Sequence, residues 1–210
     1  MIPVKKSSLK DLVYQQIKLM ISNKDLLPGD KVNRKQLAQL LGVSQTPVQD
    51  AIVRLIQEGL FEDKKSNGIY VRVFTNKDMQ DIFALRAGIE GIALRLCISK
   101  GCEEIEDLFK LFDSFTVPMT DSEEIARYQK IDRMFHEQII SRSGNELMKD
   151  FVKDFSFILR CYHKGLLRHP DETLPEHLAI IQAARERNPE KAQNLLIAHH
   201  MASYERLSDL

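Results

Sequence analysis

The sequence has little cysteine, no long apolar run and no net charge. Its three cysteines, Cys97, Cys102 and Cys161, form no CxxC pair and cannot all be paired within one chain, which argues against a disulfide framework and a thiolate zinc site. Apolar runs reach only a few residues, whereas a helix that spans a bilayer needs roughly 20. Residues 1–6 also lack the apolar core of a signal peptide. We therefore expect a cytoplasmic protein with reduced cysteines and no membrane partner.

The zero net charge conceals an uneven distribution. Residues 1–75 carry 12 Lys and Arg against 7 Asp and Glu, a balance of +5, while residues 76–210 carry 18 against 23, a balance of −5. With 210 residues, of which 43% are hydrophobic and 29% charged, the chain can form one or two ordinary cores. We predict a phosphate-facing DNA-binding domain over 1–75 and a domain with another task over 76–210.

The N-terminal part contains the pattern of three helices. Apolar residues recur at helical spacing over 9–21 and again over 33–41. Ser44 is a good N-cap for a third helix, with Pro47 in its first turn and an apolar face up to Gly59. Because a tight turn joins the second helix to the third, the segment predicts a helix-turn-helix.

A basic hairpin is predicted after the third helix. Residues 69–73 alternate apolar and polar side chains like a strand, and Asn67-Gly68 is a strong turn signal that follows Lys64 and Lys65. We predict a two-stranded wing with a basic tip. Any small αβ domain with a hairpin is the alternative, but the order helix, helix, turn, capped helix and basic hairpin favours a winged helix-turn-helix.

From residue 76 onward the pattern is helical only. The predicted helices cover 76–99, 103–115, 121–142, 145–164, 174–187 and 189–207. Thr120 and Thr173 each precede a glutamate by three residues, as in a capping box, and Pro189 stands at a first helical position. Six helices with short connections predict an antiparallel bundle. The expected fold class is therefore mainly α, with a winged helix-turn-helix followed by an all-helical bundle.

An acidic residue interrupts the apolar stripe of the helix predicted over 121–142. The stripe runs through Ile125, Tyr128, Asp132, Phe135 and Ile139. His136 follows Asp132 at i+4, so the imidazole and the carboxylate can converge on one point. A buried ionised carboxylate without a partner costs several kcal/mol, so a cation or a hydrogen-bond network is needed beside Asp132.

Two further helices place a histidine among aliphatic residues, His177 over 174–187 and His199 in the last helix. A single buried histidine is more often a satisfied core residue than a metal ligand, but one aspartate and three histidines on inward faces form a coherent set. We interpret Asp132, His136, His177 and His199 as ligands of one divalent transition metal. Imidazole and carboxylate suit zinc or nickel, and also iron or manganese, with room for water or a bound carboxylate.

Other polar candidates have different interpretations. His200 is turned about 100° from the preceding histidine on its helix, so we interpret it as a surface residue or a donor to a ligand. His163 and His169 lie near a loop, where exposure to solvent is expected. Arg86 precedes Glu90 by four residues, and two interpretations stay open: a surface ion pair, or an inward Arg86 that binds an anionic effector.

Motifs spread along nearly the whole chain form one combined pattern. The N-terminal half contributes Leu37-Ala38-Gln39-Leu40-Leu41-Gly42-Val43-Ser44, Thr46-Pro47-Val48, Ala51-Ile52, Leu55, Glu58-Gly59-Leu60, Gly68 and Val71. The C-terminal half contributes Leu85-Arg86 with Glu90, Asp132-Arg133-Met134-Phe135-His136, Gly144-Asn145, Glu176-His177 with Ile180, and Ala192 with His199. This pattern resembles the GntR family of regulators, in the FadR-like subgroup with an FCD ligand-binding domain. The resemblance implies a homodimer on a pseudo-palindromic operator in double-stranded DNA. It also implies a metal at the four residues named above, which helps bind a small organic or sugar acid.

One departure from the family concerns the recognition helix. Members usually carry DNA-contacting arginines where this chain has Gln45 and Gln49. Glutamine can pair with adenine, whereas arginine prefers guanine and neutralises phosphate, so we predict an unusual operator and weaker, less salt-dependent binding. Available contacts to DNA besides the two glutamines are Lys35, Ser44, Thr46, Lys64, Lys65 and Gly68.

The sequence favours a ligand-responsive repressor or activator over an enzyme. A metal-dependent hydrolase or oxygenase is the alternative, because a histidine and carboxylate metal site with open positions can activate water. Against it, the ligand helices show no additional Glu or Asp that is an obvious general base, and a basic winged domain would be unexplained. A third interpretation makes the metal purely structural. The effector, the metal, the operator sequence and the sign of regulation stay open.

Overall fold

A computed structural model describes residues 8–101, 106–162 and 167–208. In chain order the elements are α1 (Leu9–Ser22), β1 (Lys31–Val32), α2 (Arg34–Leu41), α3 (Gln45–Gln57), β2 (Phe61–Asp63), a 3₁₀ turn (Lys65–Asn67), β3 (Ile69–Val71), α4 (Asn76–Lys100), α5 (Glu106–Phe112), α6 (Ser122–Arg142), α7 (Glu146–Tyr162), α8 (Pro170–Arg185) and α9 (Pro189–Arg206). Cys102 and His163, considered above, lie outside the described residues. None of the described helices is long and apolar enough to cross a membrane.

The chain divides into two compact units. One unit comprises Met1–Phe74 together with Ser156–His163, and the other comprises Thr75–Phe155 together with Lys164–Leu210. The last part of α7 is thus grouped with the first unit, which sequence periodicity did not indicate. The division into domains at 1–75 and 76–210 stays a prediction.

Local hydrogen bonds set the ends of the two helices of the helix-turn-helix. The Asn33 side chain caps α2 by accepting from the backbone N–H groups of Lys35 and Gln36, at 3.0 and 3.2 Å. Gly42 ends α2 in the left-handed region with φ of 66°, a conformation that favours glycine. Ser44 occupies the N-cap of α3 as predicted, but its hydroxyl makes no capping hydrogen bond.

The first unit is held together by apolar side chains on facing helices. α1 packs against α3, and each helix buries one face. The buried residues are Val13, Tyr14, Ile17, Met20 and Ile21 on α1, and Val48, Ala51, Ile52 and Leu55 on α3. Burial of each large aliphatic side chain stabilises the folded state by about 1.5–3 kcal/mol. Because the apolar residues recur at a three-four spacing, they lie on one face of α3, and the burial of that face fixes the orientation of the helix.

The wing is a three-stranded antiparallel sheet in the order β1-β3-β2, where two strands were predicted. β1 pairs Lys31 with Tyr70 and Val32 with Ile69 of β3. A strand of two residues is too short to show an alternating pattern, which is why the sequence did not indicate it. The tip also differs from a two-residue Asn-Gly turn, because residues 65–67 form a 3₁₀ turn that Gly68 closes with φ of 99°.

The second unit is a helical bundle around one apolar core, which confirms the predicted mainly α class. Its core draws side chains from all the described helices of this unit, including Phe109, Phe135, Leu174 and Leu196. α4 and α9 approach closely at Gly91, where an added Cβ would lie 2.9 Å from the Ile197 side chain. The glycine therefore permits a helix contact that any larger residue would push apart.

Two predicted helix caps in this unit are wrong. α6 is capped by Asp121, whose carboxylate accepts two backbone N–H groups, and not by Thr120. α8 begins at Pro170 with His169 as its cap, four residues before the predicted start. The Thr173 hydroxyl lies inside α8 and bonds the Tyr128 hydroxyl at 2.8 Å, so it is not available as a cap. A capping-box match in the sequence therefore does not show that a helix begins there, because the same residues can lie inside a helix that begins earlier.

Candidate metal centre and nucleic-acid interface

The four predicted metal ligands converge from three helices of the second unit. One ligand atom from each of Asp132, His136, His177 and His199 lies within 4.8 Å of every other. The Nε2 atom of His177 is 3.2 Å from the Asp132 Oδ1 atom and 3.5 Å from the His136 Nε2 atom. Asp132 and His136 come from α6, His177 from α8 and His199 from α9. The inward stripes read from the sequence therefore meet at one place.

This arrangement fits a divalent transition metal. Metal bonds of about 2.0–2.2 Å place neighbouring ligand atoms roughly 3–4 Å apart, which is the range observed between Asp132, His136 and His177. Three imidazoles and one carboxylate form a donor set for zinc, nickel, iron or manganese. The histidine side chains are buried, whereas Asp132 keeps 30% of its side chain exposed, so the cluster is open to solvent on the Asp132 side.

Each histidine of the cluster has a hydrogen-bond partner at Nδ1. The Glu90 carboxylate lies 2.6 Å from His136 Nδ1, and the Glu176 carboxylate lies 2.7 Å from His199 Nδ1. An ionised carboxylate only accepts, so both Nδ1 atoms carry the proton and each Nε2 lone pair is left for a metal.

The third histidine is held by a hydroxyl group. His177 Nδ1 lies 2.8 Å from the Tyr128 hydroxyl, which also bonds Thr173. When Nδ1 of His177 is protonated, the Tyr128 oxygen accepts that hydrogen bond and the Thr173 hydroxyl can accept the Tyr128 proton. The hydrogen bonds that connect Thr173, Tyr128 and His177 therefore fix the orientation of the His177 ring without adding a charge.

Glu90 joins three donors at a buried position of α4. Its carboxylate accepts from Arg86 Nε at 2.6 Å, His136 Nδ1 at 2.6 Å and His200 Nε2 at 2.8 Å. Although burial disfavours its charge, the Arg86 guanidinium and the imidazoles of His200 and His136 hold the Glu90 pKa well below its usual range. The Glu90, His136 and His200 atoms also lie close together, but separations of 2.6 and 2.8 Å are hydrogen bonds and leave no space for an ion.

Two of the alternatives that the sequence left open are excluded here. The Arg86 and Glu90 side chains are only 14% and 2% exposed, so their i,i+4 pair is not a surface pair. His200 is fully buried, so it is not a surface residue. It donates to Glu90, and burial lowers its pKa to about 3, so its ring is neutral. His200 therefore supports His136 indirectly, through the same carboxylate.

The charges and the burial around the cluster favour the ligand forms of Asp132, His177 and His199, but not of His136. Burial disfavours the Asp132 carboxylate, but its hydrogen bond to His136 and the three nearby imidazoles lower its pKa below its usual range. Burial lowers the pKa of His177 and of His199, which keeps both rings neutral. The Glu90 charge outweighs burial at His136 and raises its pKa, so His136 binds a proton more readily than His177 or His199. A metal would have to displace that proton.

Sequence reasoning missed the carboxylate beside His199. Glu176 lies on α8, a ligand helix, and the sequence did not show that its carboxylate contacts His199. Its oxygens accept from Arg168 Nη1 at 2.8 Å as well as from His199. Burial opposes its charge, but these two donors lower the Glu176 pKa to about 2. A carboxylate held in this way is a weak proton acceptor.

The predicted DNA-binding residues lie mainly on exposed positions of the first unit. Lys35 is exposed on α2, Ser44, Gln45 and Thr46 are exposed around the start of α3, and Gln49 is half-buried one turn later. Lys64 and Lys65 are exposed at the wing tip beside the half-buried Gly68. Contacts of these residues with DNA stay a prediction.

A residue that was not predicted connects the two helices of the helix-turn-helix. The Arg34 guanidinium on α2 donates from Nε to Gln45 Oε1 at 3.0 Å and from Nη1 to Gln49 Oε1 at 3.1 Å. The only sequence signal for this contact was a basic residue at the start of the helix before the recognition helix. Periodicity within α2 does not show which residues of α3 it faces.

Comparisons with known proteins cover nearly the whole chain. Residues 9–71 match the gntR family of bacterial regulatory proteins, and residues 81–202 match the FCD domain. The chain is 28% identical over 198 residues to the HTH-type transcriptional regulator YdhC of Bacillus subtilis, covering 92% of this chain and 88% of that protein. It is 26% identical over 190 residues to the Nta operon transcriptional regulator of Aminobacter aminovorans, covering 87% of each.

Solved structures share the fold. A GntR transcriptional regulator from Rhodococcus sp. RHA1 aligns with a TM-score of 0.70 at 18% identity, over 95% of this chain and 97% of that one. E. coli McbR/YncC aligns with a TM-score of 0.68 at 19% identity, over 97% and 99%. The family matches, together with the winged helix-turn-helix and the helical unit, show that the chain belongs to the GntR family of transcription regulators, in the FadR-like subgroup with an FCD domain.

Proposed function

We propose that this regulator changes its affinity for an operator when a small organic or sugar acid binds at a metal held by Asp132, His136, His177 and His199. The observation that carries the proposal is the orientation of the three imidazoles. Each ring has a partner at Nδ1 and turns its other nitrogen toward one carboxylate. Zinc or nickel suits these donors best, with iron or manganese as further candidates.

The cluster leaves a place for an acid. When bound, a five- or six-coordinate ion held by four protein ligands offers open positions to a carboxylate group. Arg86 is the proposed second contact of the acid. Its Nε and Nη2 atoms face Glu90, and its Nη1 atom has no hydrogen-bond partner among the described residues. A guanidinium with a free N–H edge beside a metal suits a ligand with at least one carboxylate.

Regulation requires that the acid bind two states of the protein unequally. In a homodimer, two recognition helices engage half-sites about 34 Å apart on DNA. An acid shifts this equilibrium only by its differential affinity for the state that fits the operator and the state that does not. No covalent chemistry is required, so we propose a sensor and not an enzyme.

The first experiment is metal analysis of the purified full-length chain, followed by a thermal-shift screen of organic and sugar acids in metal-loaded and chelator-stripped forms. We expect one divalent metal per chain, and acids that raise the Tm only of the loaded form. His177→Ala and Asp132→Ala should each lose the metal and the response to acids. Asp107→Ala, which removes a carboxylate that is 95% exposed, is the matched control for Asp132→Ala.

Other outcomes separate the alternatives. Turnover of a screened acid would indicate a metal-dependent enzyme. Unfolding of the stripped protein, with no response of the loaded form to any acid, would indicate a structural metal. An operator identified by selection then allows fluorescence anisotropy with and without the acid, where an unchanged Kd would contradict regulation by that acid.

A further inference from the structure

The exposed start of the recognition helix lacks positive charge. Among the residues of α3, Arg54 is the only Lys or Arg. Its guanidinium lies over the Tyr14 ring at 3.7 Å and pairs with Glu58 at 3.0 Å. The Arg54 guanidinium therefore already has partners within the first unit. DNA binding depends on cations close to phosphates and base edges, so the charge at this surface must come from another element.

Arg34 brings a guanidinium to this surface. It is exposed at the start of α2 and spans the gap to α3 through Gln45 and Gln49. No carboxylate of the described residues forms an ion pair with it, unlike Arg54. Because two hydrogen bonds hold the side chain, part of the entropy cost of ordering a long arginine is already met before DNA arrives.

The same contacts fix the orientation of two amides. Arginine only donates hydrogen bonds, so the atoms that face it must be the amide oxygens of Gln45 and Gln49. Their NH₂ groups are then left to donate. Adenine recognition by glutamine uses the amide oxygen as well as the NH₂ group, so the oxygen contact to Arg34 competes with it.

We propose that Arg34 is a specificity-determining residue that reads guanine in the operator half-site, with Gln45 and Gln49 as its supports. In this arrangement the guanidinium comes from α2, whereas the family resemblance leads to the expectation of arginines on α3. The remaining N–H groups of Arg34 match the O6 and N7 acceptors of guanine, and the glutamine NH₂ groups match acceptors on neighbouring bases. The inference deepens the proposed function, because it rests on sequence-specific DNA binding.

The test is an in vitro selection from duplexes with about 25 random base pairs, enough for two half-sites one helical turn apart. The full-length chain is compared with Arg34→Ala, Arg34→Lys and Lys10→Ala. We expect the wild type to select a guanine that Arg34→Ala no longer prefers. Arg34→Ala should also bind the selected duplex about 5- to 150-fold more weakly, which corresponds to the roughly 1–3 kcal/mol by which a bidentate contact discriminates.

Arg34→Lys separates charge from geometry. Lysine keeps the charge but lacks the planar fork, so the salt dependence of Kd should stay near that of the wild type while the guanine preference falls. Lys10→Ala removes an exposed positive charge from α1, and it should change neither the salt dependence of Kd nor the guanine preference. Since Arg34 is exposed, Tm values close to the wild type will show that the variants are folded.

Two results would overturn the proposal. One is an Arg34→Ala variant that selects the same sequence with the same preference at every position. The other is a uniform loss of affinity for all duplexes, which would make Arg34 a phosphate contact. A wild-type chain that selects no sequence at all would instead contradict sequence-specific DNA binding, and with it the proposed function.

Discussion

The two units place their functional polar groups in opposite environments. In the first unit Arg34, Gln45 and Lys64 are exposed and their partners are few. In the second unit Glu90 and His177 are buried, and each bonds at least one other group of the cluster. A buried polar group that loses its partner costs far more free energy than an exposed one. The second unit should therefore be sensitive to single substitutions that the first unit tolerates.

Glu90→Ala should have the largest effect. It leaves Arg86, His136 and His200 without their shared acceptor inside the second unit. Breaking a buried charge network in this way costs about 3–5 kcal/mol of the free energy of unfolding. Urea denaturation of the chelated protein measures it, with Glu146→Ala at an exposed carboxylate as the control. If Glu90→Ala lowered the free energy of unfolding by less than about 1 kcal/mol, the proposed difference in sensitivity between the two units would be wrong.

Glu176→Gln should weaken metal binding more than folding. Glutamine keeps an oxygen near His199 Nδ1 but removes the charge that stabilises the ligand form of the ring. Loss of such an outer partner typically lowers metal affinity by about 10- to 100-fold. Competition with a chromogenic chelator measures the Kd, and Glu186→Gln at the exposed end of α8 serves as the control. Equal affinities for the two variants would show that Glu176 has no part in the site.

Tyr128→Phe and Tyr70→Phe compare the two units directly. The buried Tyr128 hydroxyl bonds Thr173 and His177, whereas the Tyr70 hydroxyl donates to a backbone carbonyl at an exposed site. We expect Tyr128→Phe to lower the free energy of unfolding by about 1–3 kcal/mol and Tyr70→Phe to change it by less than about 0.5 kcal/mol. Thermal and urea unfolding measure both. Similar losses for the two variants would contradict the difference in environment.

The smallest effects concern the two helix caps of the helix-turn-helix. Asn33 accepts from two backbone N–H groups, whereas the Ser44 hydroxyl makes no capping bond. Asn33→Ala should cost about 1 kcal/mol of stability, and Ser44→Ala much less. Urea unfolding of both variants gives the comparison. A larger cost for Ser44→Ala would mean that its hydroxyl caps α3 in solution.

Spacing was enough to predict the cluster members but not their supports. Asp132, His177 and His199 each interrupt an apolar stripe, which shows the buried face of a helix, and His136 follows Asp132 at i+4. It does not show which helix lies opposite. Glu90 and Glu176 reach the cluster from 46 and 23 residues away in the chain, so their contacts depend on how the helices pack.

The helix-turn-helix was predictable for the same reason, since its turn and apolar faces are local. The surface alternative for His200 was wrong because it assumed one buried face on α9. α9 packs against both α4 and α8, so His199 and His200 are both buried although they point in different directions. Arg34 was missed because its partners lie 11 and 15 residues away on another helix.

The missing side chain of Gly91 has a mechanical consequence. Ile197 fills the space that a Cβ at this position would need, so α4 and α9 are fitted together one residue from Glu90 and two from His199. Sliding of one helix along the other would press the Ile197 side chain against the α4 backbone at this point. A shift of α9 that moved His199 would therefore also act on α4, the longest described helix of the bundle, which carries Arg86 and Glu90.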